Sequence, residues 1–141
     1  PNTGNIARLC AGTETRLHLI EPLGFCIDDR HLRRAGLDYW PHVDVTVWPA
    51  LEAYLQADGA GRRLVSTSAR HGESVQHFSF TPQDSLLFGP ESSGLPESVQ
   101  ALAAAHVRIP VKDCIRSLNL STSAGIILYA ALSSLNALEN W

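Results

Sequence analysis

The chain has 141 residues, 45% of them hydrophobic, which suits one domain with a core of its own and is too apolar for a disordered chain. No apolar run approaches the roughly 20 residues that cross a bilayer and no signal peptide opens the sequence, so a cytoplasmic protein without a membrane anchor is expected. The net charge of −3 excludes a uniformly basic nucleic-acid coat but leaves room for a local basic patch.

In chain order, "PNTGNIARLCAGT" begins with a polar turn (Asn2, Gly4, Asn5) and leads into a helix ending at Gly12. Thr15 to Ile20 alternates as a strand does. Asp28 to Gly36 reads as a short helix closed by its glycine. Val43 to Trp48 alternates again, and Pro49 to Ala57 carries apolar residues at helical spacing behind a proline in the first turn. Arg63 to Thr67 and Ser85 to Gly89 are short apolar runs of the buried-strand type. Glu97 to Ala105 reads as a helix, His106 to Pro110 as a strand stopped by proline, and Leu120 to Leu138 as a long final helix. Strands alternating with helices over short links predict an α/β domain on a mostly parallel sheet. Such sheets bind ligands beyond the carboxyl ends of their strands, here the loops after Thr67, after Phe88 and after Pro110.

Three segments stand out. Arg8 lies one turn into the first helix among small and apolar neighbours, either as a surface residue or aimed into a site. In "LLFGPESSGLP", Gly89 and Gly94 permit close backbone approach or positive φ, and Pro90 and Pro96 stiffen the loop. That rigidity holds a ligand or makes a structural turn. In "RIPVKDCIRSLNLSTS", the polar block from Arg116 to Ser123 exceeds what helix entry needs. It either over-caps the helix or cradles a polar small molecule.

Several familiar signatures are missing. The sequence holds no GxGxxG, no GxxxxGK[ST], no HExxH and no GxSxG. The cysteines Cys10, Cys26 and Cys114 are odd in number and never in CxxC spacing, so neither a disulfide framework nor a metal centre is expected. The six histidines are scattered. The basic residues are ten arginines and Lys112, a bias that suits phosphate and planar groups but also follows from GC-rich coding.

Taken together, "PNTGNIARLC", "LFGPESSGLP" and "IPVKDCIRSLNLSTSAGIILY" resemble, in order, the three motifs of the SPOUT class of RNA methyltransferases. "LRRAGLDY" (Leu32 to Tyr39) resembles the subfamily that 2′-O-methylates the wobble cytidine or uridine of tRNA. The resemblance covers nearly the whole chain. It implies a single domain over residues 1–141 with a deep C-terminal trefoil knot, a topology that chain-connection rules would otherwise discount. It also implies S-adenosylmethionine as cofactor, with Thr67, Gly89, Ile109, Ser117 and Leu118 in its pocket. Backbone groups there would hydrogen-bond adenine and ribose, and Ile109 and Leu118 would supply apolar walls. Glu91 would either brace the second loop or face the substrate.

The implied chemistry is methyl transfer from a sulfonium to a ribose 2′-hydroxyl. A sulfonium is already a good leaving group, so the protein's task is in-line positioning and help for a weak nucleophile, with no metal. Arg8 matches the family arginine that acts on the 2′-hydroxyl. Its guanidinium, with a pKa above about 12, suits stabilisation of developing alkoxide better than proton abstraction. Asn119 would position the ribose or Arg8.

Arg30, Arg33 and Arg34 cluster beside Tyr39 and Trp40. Arginine for phosphate and a ring for an unstacked base make a pairing for single-stranded RNA such as an anticodon loop, unless the cluster is simply a solvated helix face. In the final helix Ala124, Leu128, Ala131, Leu135 and Leu138 recur at 4-3-4-3 spacing, and Ile126, Ile127 and Leu132 widen the apolar face. A helix this apolar is buried on more than one side. The family resemblance makes that a homodimer interface, with Arg8 near the partner's cofactor. Three features depart from the family pattern: the strand that relatives carry before the first motif is missing, Ala130 replaces an acid, and Ile115 replaces a small polar residue. The alternatives are a 2′-O-methyltransferase acting on rRNA or another tRNA position, and a knotted RNA-binding module without catalysis.

Overall fold

The computed structural model describes residues 2–21, 40–90 and 93–141. The chain forms two compact units, Pro1–Ala60 and Gly61–Trp141.

In the first unit, helix α1 (Asn2–Thr13) buries Ala7, Cys10 and Thr13, three residues at helical spacing. Asn2, Gly4 and Asn5 belong to the helix itself and not to a preceding turn. Its end lies one residue past Gly12. Glu14 takes φ 51°, which lets Thr15 N–H reach Cys10 O at 3.0 Å and Glu14 N–H reach Ala11 O at 3.5 Å. This is the paired ending that usually recruits glycine. Burial pushes the Cys10 thiol up to about 11, so it stays protonated and unreactive at neutral pH.

Strands β1 (Leu17–Ile20) and β2 (Val45–Trp48) pair in parallel, Leu17 opposite Val45. A 3₁₀ turn (Trp40–His42) precedes β2, and helix α2 (Leu51–Gln56) follows it. Trp48 Nε1–H donates to His18 Nδ1 at 3.0 Å, and Tyr54 of α2 packs on the His18 ring with centroids 4.6 Å apart. The predicted helix over Asp28 to Gly36 lies outside the described residues.

The second unit holds a four-stranded parallel sheet in the order β4-β6-β3-β5. Its strands are β3 (Arg63–Ser68), β4 (Glu73–Ser74), β5 (Asp84–Leu87) and β6 (Ala105–Arg108). The central β3 buries Leu64, Val65 and Ser66 in succession, the continuous burial of a strand covered on both faces. The two-residue β4 is too short and polar to show periodicity in the sequence.

The helix expected over Glu97 to Ala105 is a single turn, α3 (Glu97–Gln100). Local propensity favours helix through the alanines, but Ala104 N–H bonds to Leu64 O at 2.9 Å, and Ala105 joins β6 opposite Val65. Ladder hydrogen bonds outweigh the few tenths of a kcal/mol per residue that propensity supplies.

Helix α4 (Leu120–Ser134) lays Ile127 and Ala131 against Val65, Val107, Phe78 and Phe80. Its most buried large side chain is Ile127, at 1% exposure, which displaces Leu128 from the centre of the expected face. The helix ends at Ser134 and not at Leu138, because Asn136 takes φ 57°. Ala137 N–H then bonds to Leu132 O at 2.9 Å.

The opposite edge of the sheet is tied by one charged pair. Arg63 Nε and Nη2 each donate to an Asp84 carboxylate oxygen at 2.7 Å. Thr81 adds its N–H at 2.9 Å and its hydroxyl at 2.7 Å. Burial alone would raise the Asp84 carboxyl, but the Arg63 and Thr81 hydrogen bonds outweigh it and hold the group below the usual carboxylate range. With the Asp84 side chain only 4% exposed, Asp84→Ala is expected to cost about 3 kcal/mol in urea unfolding at pH 7. Because the folded value is the lower one, this contribution is complete above about pH 5 and fades as pH falls through ~4 and then through the folded value. The wild-type and variant stability curves should therefore converge in acid and run parallel above pH 6.

Candidate active site

The carboxyl ends of β3, β5 and β6 lie side by side, and the loops that leave them enclose a cavity of about 430 Å³. That volume is within the range of small-molecule sites, about 300–1,000 Å³. Thr67, Gly89, Ile109, Ser117 and Leu118, the five residues expected to bind the cofactor, all line it.

Each wall has its own physical basis. The Thr67 hydroxyl is already committed, donating to Leu87 O at 2.9 Å, so its side chain locks β3 to β5 at the cavity floor. At Gly89 a Cβ would stand 2.4 Å from both Gly94 C and Leu95 N; only glycine allows the second loop to fold on itself this closely. Gly94 N–H completes the loop by donating to Pro90 O at 2.7 Å, with Gly94 itself at φ +68°. Gln100 Nε2 donates to Leu95 O at 2.9 Å and braces the loop from α3. Ile109 packs against the sheet core. Phe88, Leu118, Leu120 and Ile127 extend the apolar wall. Glu91 falls outside the described residues.

The third loop runs from Ile109 into α4. Asn119, in extended geometry (φ −53°, ψ 143°), is the N-cap. Its Oδ1 accepts from Ser121 N–H at 3.0 Å, Thr122 N–H at 3.2 Å and the Ser121 hydroxyl at 2.6 Å. Capping of α4 therefore falls to Asn119. Ser123 lines the cavity. Asn119 itself is exposed and is not among the lining residues.

Sequence reasoning missed Arg70 and His71, which also line the cavity, as does Arg116 of the polar block. The loop after Thr67 was flagged by its place at a strand's end, but its residues match no motif spacing. Arg8 is exposed on α1, in the first unit. Arg30, Arg33, Arg34 and Tyr39 lie outside the described residues. Among the described residues no group of three His, Cys, Asp or Glu could hold a metal, and Cys10 and Cys114 are free.

A glycine cradle, apolar walls suited to an adenine ring and loop backbone at strand ends fit S-adenosylmethionine. The sequence profile described as the SpoU rRNA Methylase family matches residues 1–129. The chain belongs to the SpoU rRNA methylase family. The SPOUT resemblance drawn from the motifs thus holds, and the α/β parallel sheet with it. A tRNA (cytidine(34)-2′-O)-methyltransferase of Methylovorus glucosotrophus is 46% identical over 133 residues, covering 93% of this chain and 86% of that protein. A solved structure concerned with 2-OH methylation of C/U34 on tRNA is 45% identical, with a TM-score of 0.88 over 96% of this chain and 89% of that one. The SpoU methyltransferase AviRb of Streptomyces viridochromogenes, solved in complex with AdoMet, is 26% identical. Its TM-score is 0.78, covering 96% of this chain and 56% of AviRb.

Proposed function

We propose that this SpoU-family chain is an S-adenosylmethionine-dependent methyltransferase for the ribose 2′-hydroxyl of the wobble pyrimidine, position 34, of tRNA. The observation that carries this is the convergence of Thr67, Gly89, Ile109, Ser117 and Leu118 on one cavity at three strand ends. The relatives' names supply the target. We further propose that residues 1–141 act as a single domain with a deep C-terminal trefoil knot and that the protein is cytoplasmic, as the motif resemblance implies. Among the described residues no helix is long and apolar enough to cross a membrane.

The proposed roles are divided among several segments of the chain. The backbone of the Gly89 loop and of Ser117 and Leu118 holds adenine and ribose, while Ile109 and Leu118 exclude water from the ring faces. When bound, S-adenosylmethionine supplies a methyl group on a sulfonium. Arg8 stabilises the charge that develops on the 2′-oxygen and orients the adjoining phosphate. Asn119 sets the entry of α4 through its cap and so places Ser117 and Leu118. Arg30, Arg33, Arg34 and Tyr39 bind the anticodon loop.

We read the active form as a homodimer whose partner supplies Arg8. Supporting this, α4 leaves Ile126 39% and Tyr129 47% exposed, and no charged residue occurs from Ser117 to Leu138. Burying that face is worth roughly 25 cal/mol per Å². Sedimentation should give a dimer at micromolar concentration; a folded monomer would remove the composite site.

The deciding experiment is nucleoside mass spectrometry of tRNA from a strain lacking this protein. Loss of the 2′-O-methylated wobble pyrimidine is expected, with restoration by the intact chain. Loss of a methyl mark in rRNA, or at another tRNA position, would redirect the target while keeping the chemistry.

A further inference from the structure

The three loops around the cavity are not equally anchored. The first is rigid at its base. Ser68 Oγ accepts from Arg70 N–H and His71 N–H, each at 3.3 Å. Arg108 Nε donates to Gly72 O at 3.1 Å. Gly72, at φ +110°, presses so close to the His106 backbone that a Cβ would fall 2.7 Å from it. From such a base a side chain projects in a defined direction.

The third loop is the opposite. From Val111 to Leu118 every residue is exposed or half-buried. The backbone bond within it, among the described residues, is a long one, Ile115 N–H to Lys112 O at 3.5 Å. Yet Arg116, Ser117 and Leu118 must stand still to wall the cavity. A segment with few internal bonds opens at little cost unless something outside holds it.

That hold comes from the first loop. Arg70 Nη2 donates to Ile115 O at 2.6 Å, across 45 residues of sequence. Nη1 stands 3.6 Å from Asp113 Oδ1. The carbonyl bond is short and charge-assisted, hence the stronger of the two. The Asp113 side chain is fully exposed at 105%, so its ion pair adds little.

The geometry points to Arg70 as the positioning residue that pins the third loop over the cofactor cavity and so sets cofactor affinity. It rests on the proposed function for the identity of the cofactor. The guanidinium acts on the Ile115 carbonyl and leaves the bonds of the reaction alone, so it governs binding and not the chemical step.

The test uses the full chain and S-adenosylmethionine. Calorimetry on R70A should show affinity about five- to tenfold weaker, the loss of one charge-assisted bond. The loss of activity should appear mainly in the KM for S-adenosylmethionine and less in kcat, as expected when uniform binding is weakened. R70K, which still presents a donor, should recover most of the affinity, and D113N should match wild type. Amide exchange over residues 111–118 of the free protein should be faster in R70A while the sheet amides are unchanged. Unchanged exchange with weakened affinity would mean that Arg70 touches the ligand directly, overturning a positioning role. Faster exchange with unchanged affinity overturns it equally. A wild-type chain that binds no S-adenosylmethionine sinks the functional reading and the cofactor half of this inference, whereas the exchange experiment still decides whether Arg70 pins the loop.

Discussion

Arg8→Ala is expected to abolish methyl transfer to tRNA while leaving S-adenosylmethionine affinity within about threefold, roughly 0.6 kcal/mol. The split follows from the role proposed for Arg8, which is exposed on α1. A guanidinium that acts on the developing 2′-alkoxide and its adjoining phosphate removes transition-state stabilisation when deleted, which lowers kcat and kcat/KM, and leaves the cofactor's own contacts in place. Arg8→Lys keeps the charge but loses the planar fork, and should recover only part of the rate. Calorimetry beside a single-turnover methylation assay reads both quantities; a large fall in cofactor affinity would assign Arg8 to the pocket.

Gly89→Ala is expected to weaken cofactor binding by more than about tenfold, some 1.4 kcal/mol, through backbone displacement alone. The new methyl would meet Gly94 C and Leu95 N at 2.4 Å. Neither atom is the tip of a side chain that could swing away. The loop can relieve the clash only by opening, which breaks the Gly94 to Pro90 turn and draws Leu95 off the Gln100 brace. Gly12→Ala provides the contrast, since a Cβ there meets nothing within 4 Å; it should bind cofactor as wild type does. Equal affinity in the Gly89 and Gly12 variants would contradict the cradle.

Much of the site is legible along the chain because its chemistry is written into loops. Gly89, Pro90 and Gly94 mark a stiff turn in this order, and the motif resemblance carries them to a cofactor. Arg70 is not legible in the same way. Nothing in "STSARHGE" announces that its arginine will reach a carbonyl 45 residues away. The cap of α4 shows a different limit. Asn119, Ser121, Thr122 and Ser123 are all competent caps of similar strength. The choice falls to the residue whose backbone is extended at the helix entry, and that geometry is imposed by the loop before it.

The sequence by itself determined the family, the alternation of strands and helices, and which three strand ends carry the site. The family rests on motif resemblance; the alternation and the strand ends depend on periodicity and turn residues, whose energies are local to a few neighbouring positions. Only the tertiary structure decided that Ala105 leaves a helix for the sheet, that Ile127 and not Leu128 centres the buried face of α4, and that Arg70 holds the third cavity wall. Each of these is settled by partners distant in sequence: Leu64 O for the alanine segment, Val65 and Val107 for the helix face, and Ile115 O for the arginine. A local preference of a few tenths of a kcal/mol yields when a distant hydrogen bond or a packed core face offers about a kcal/mol or more.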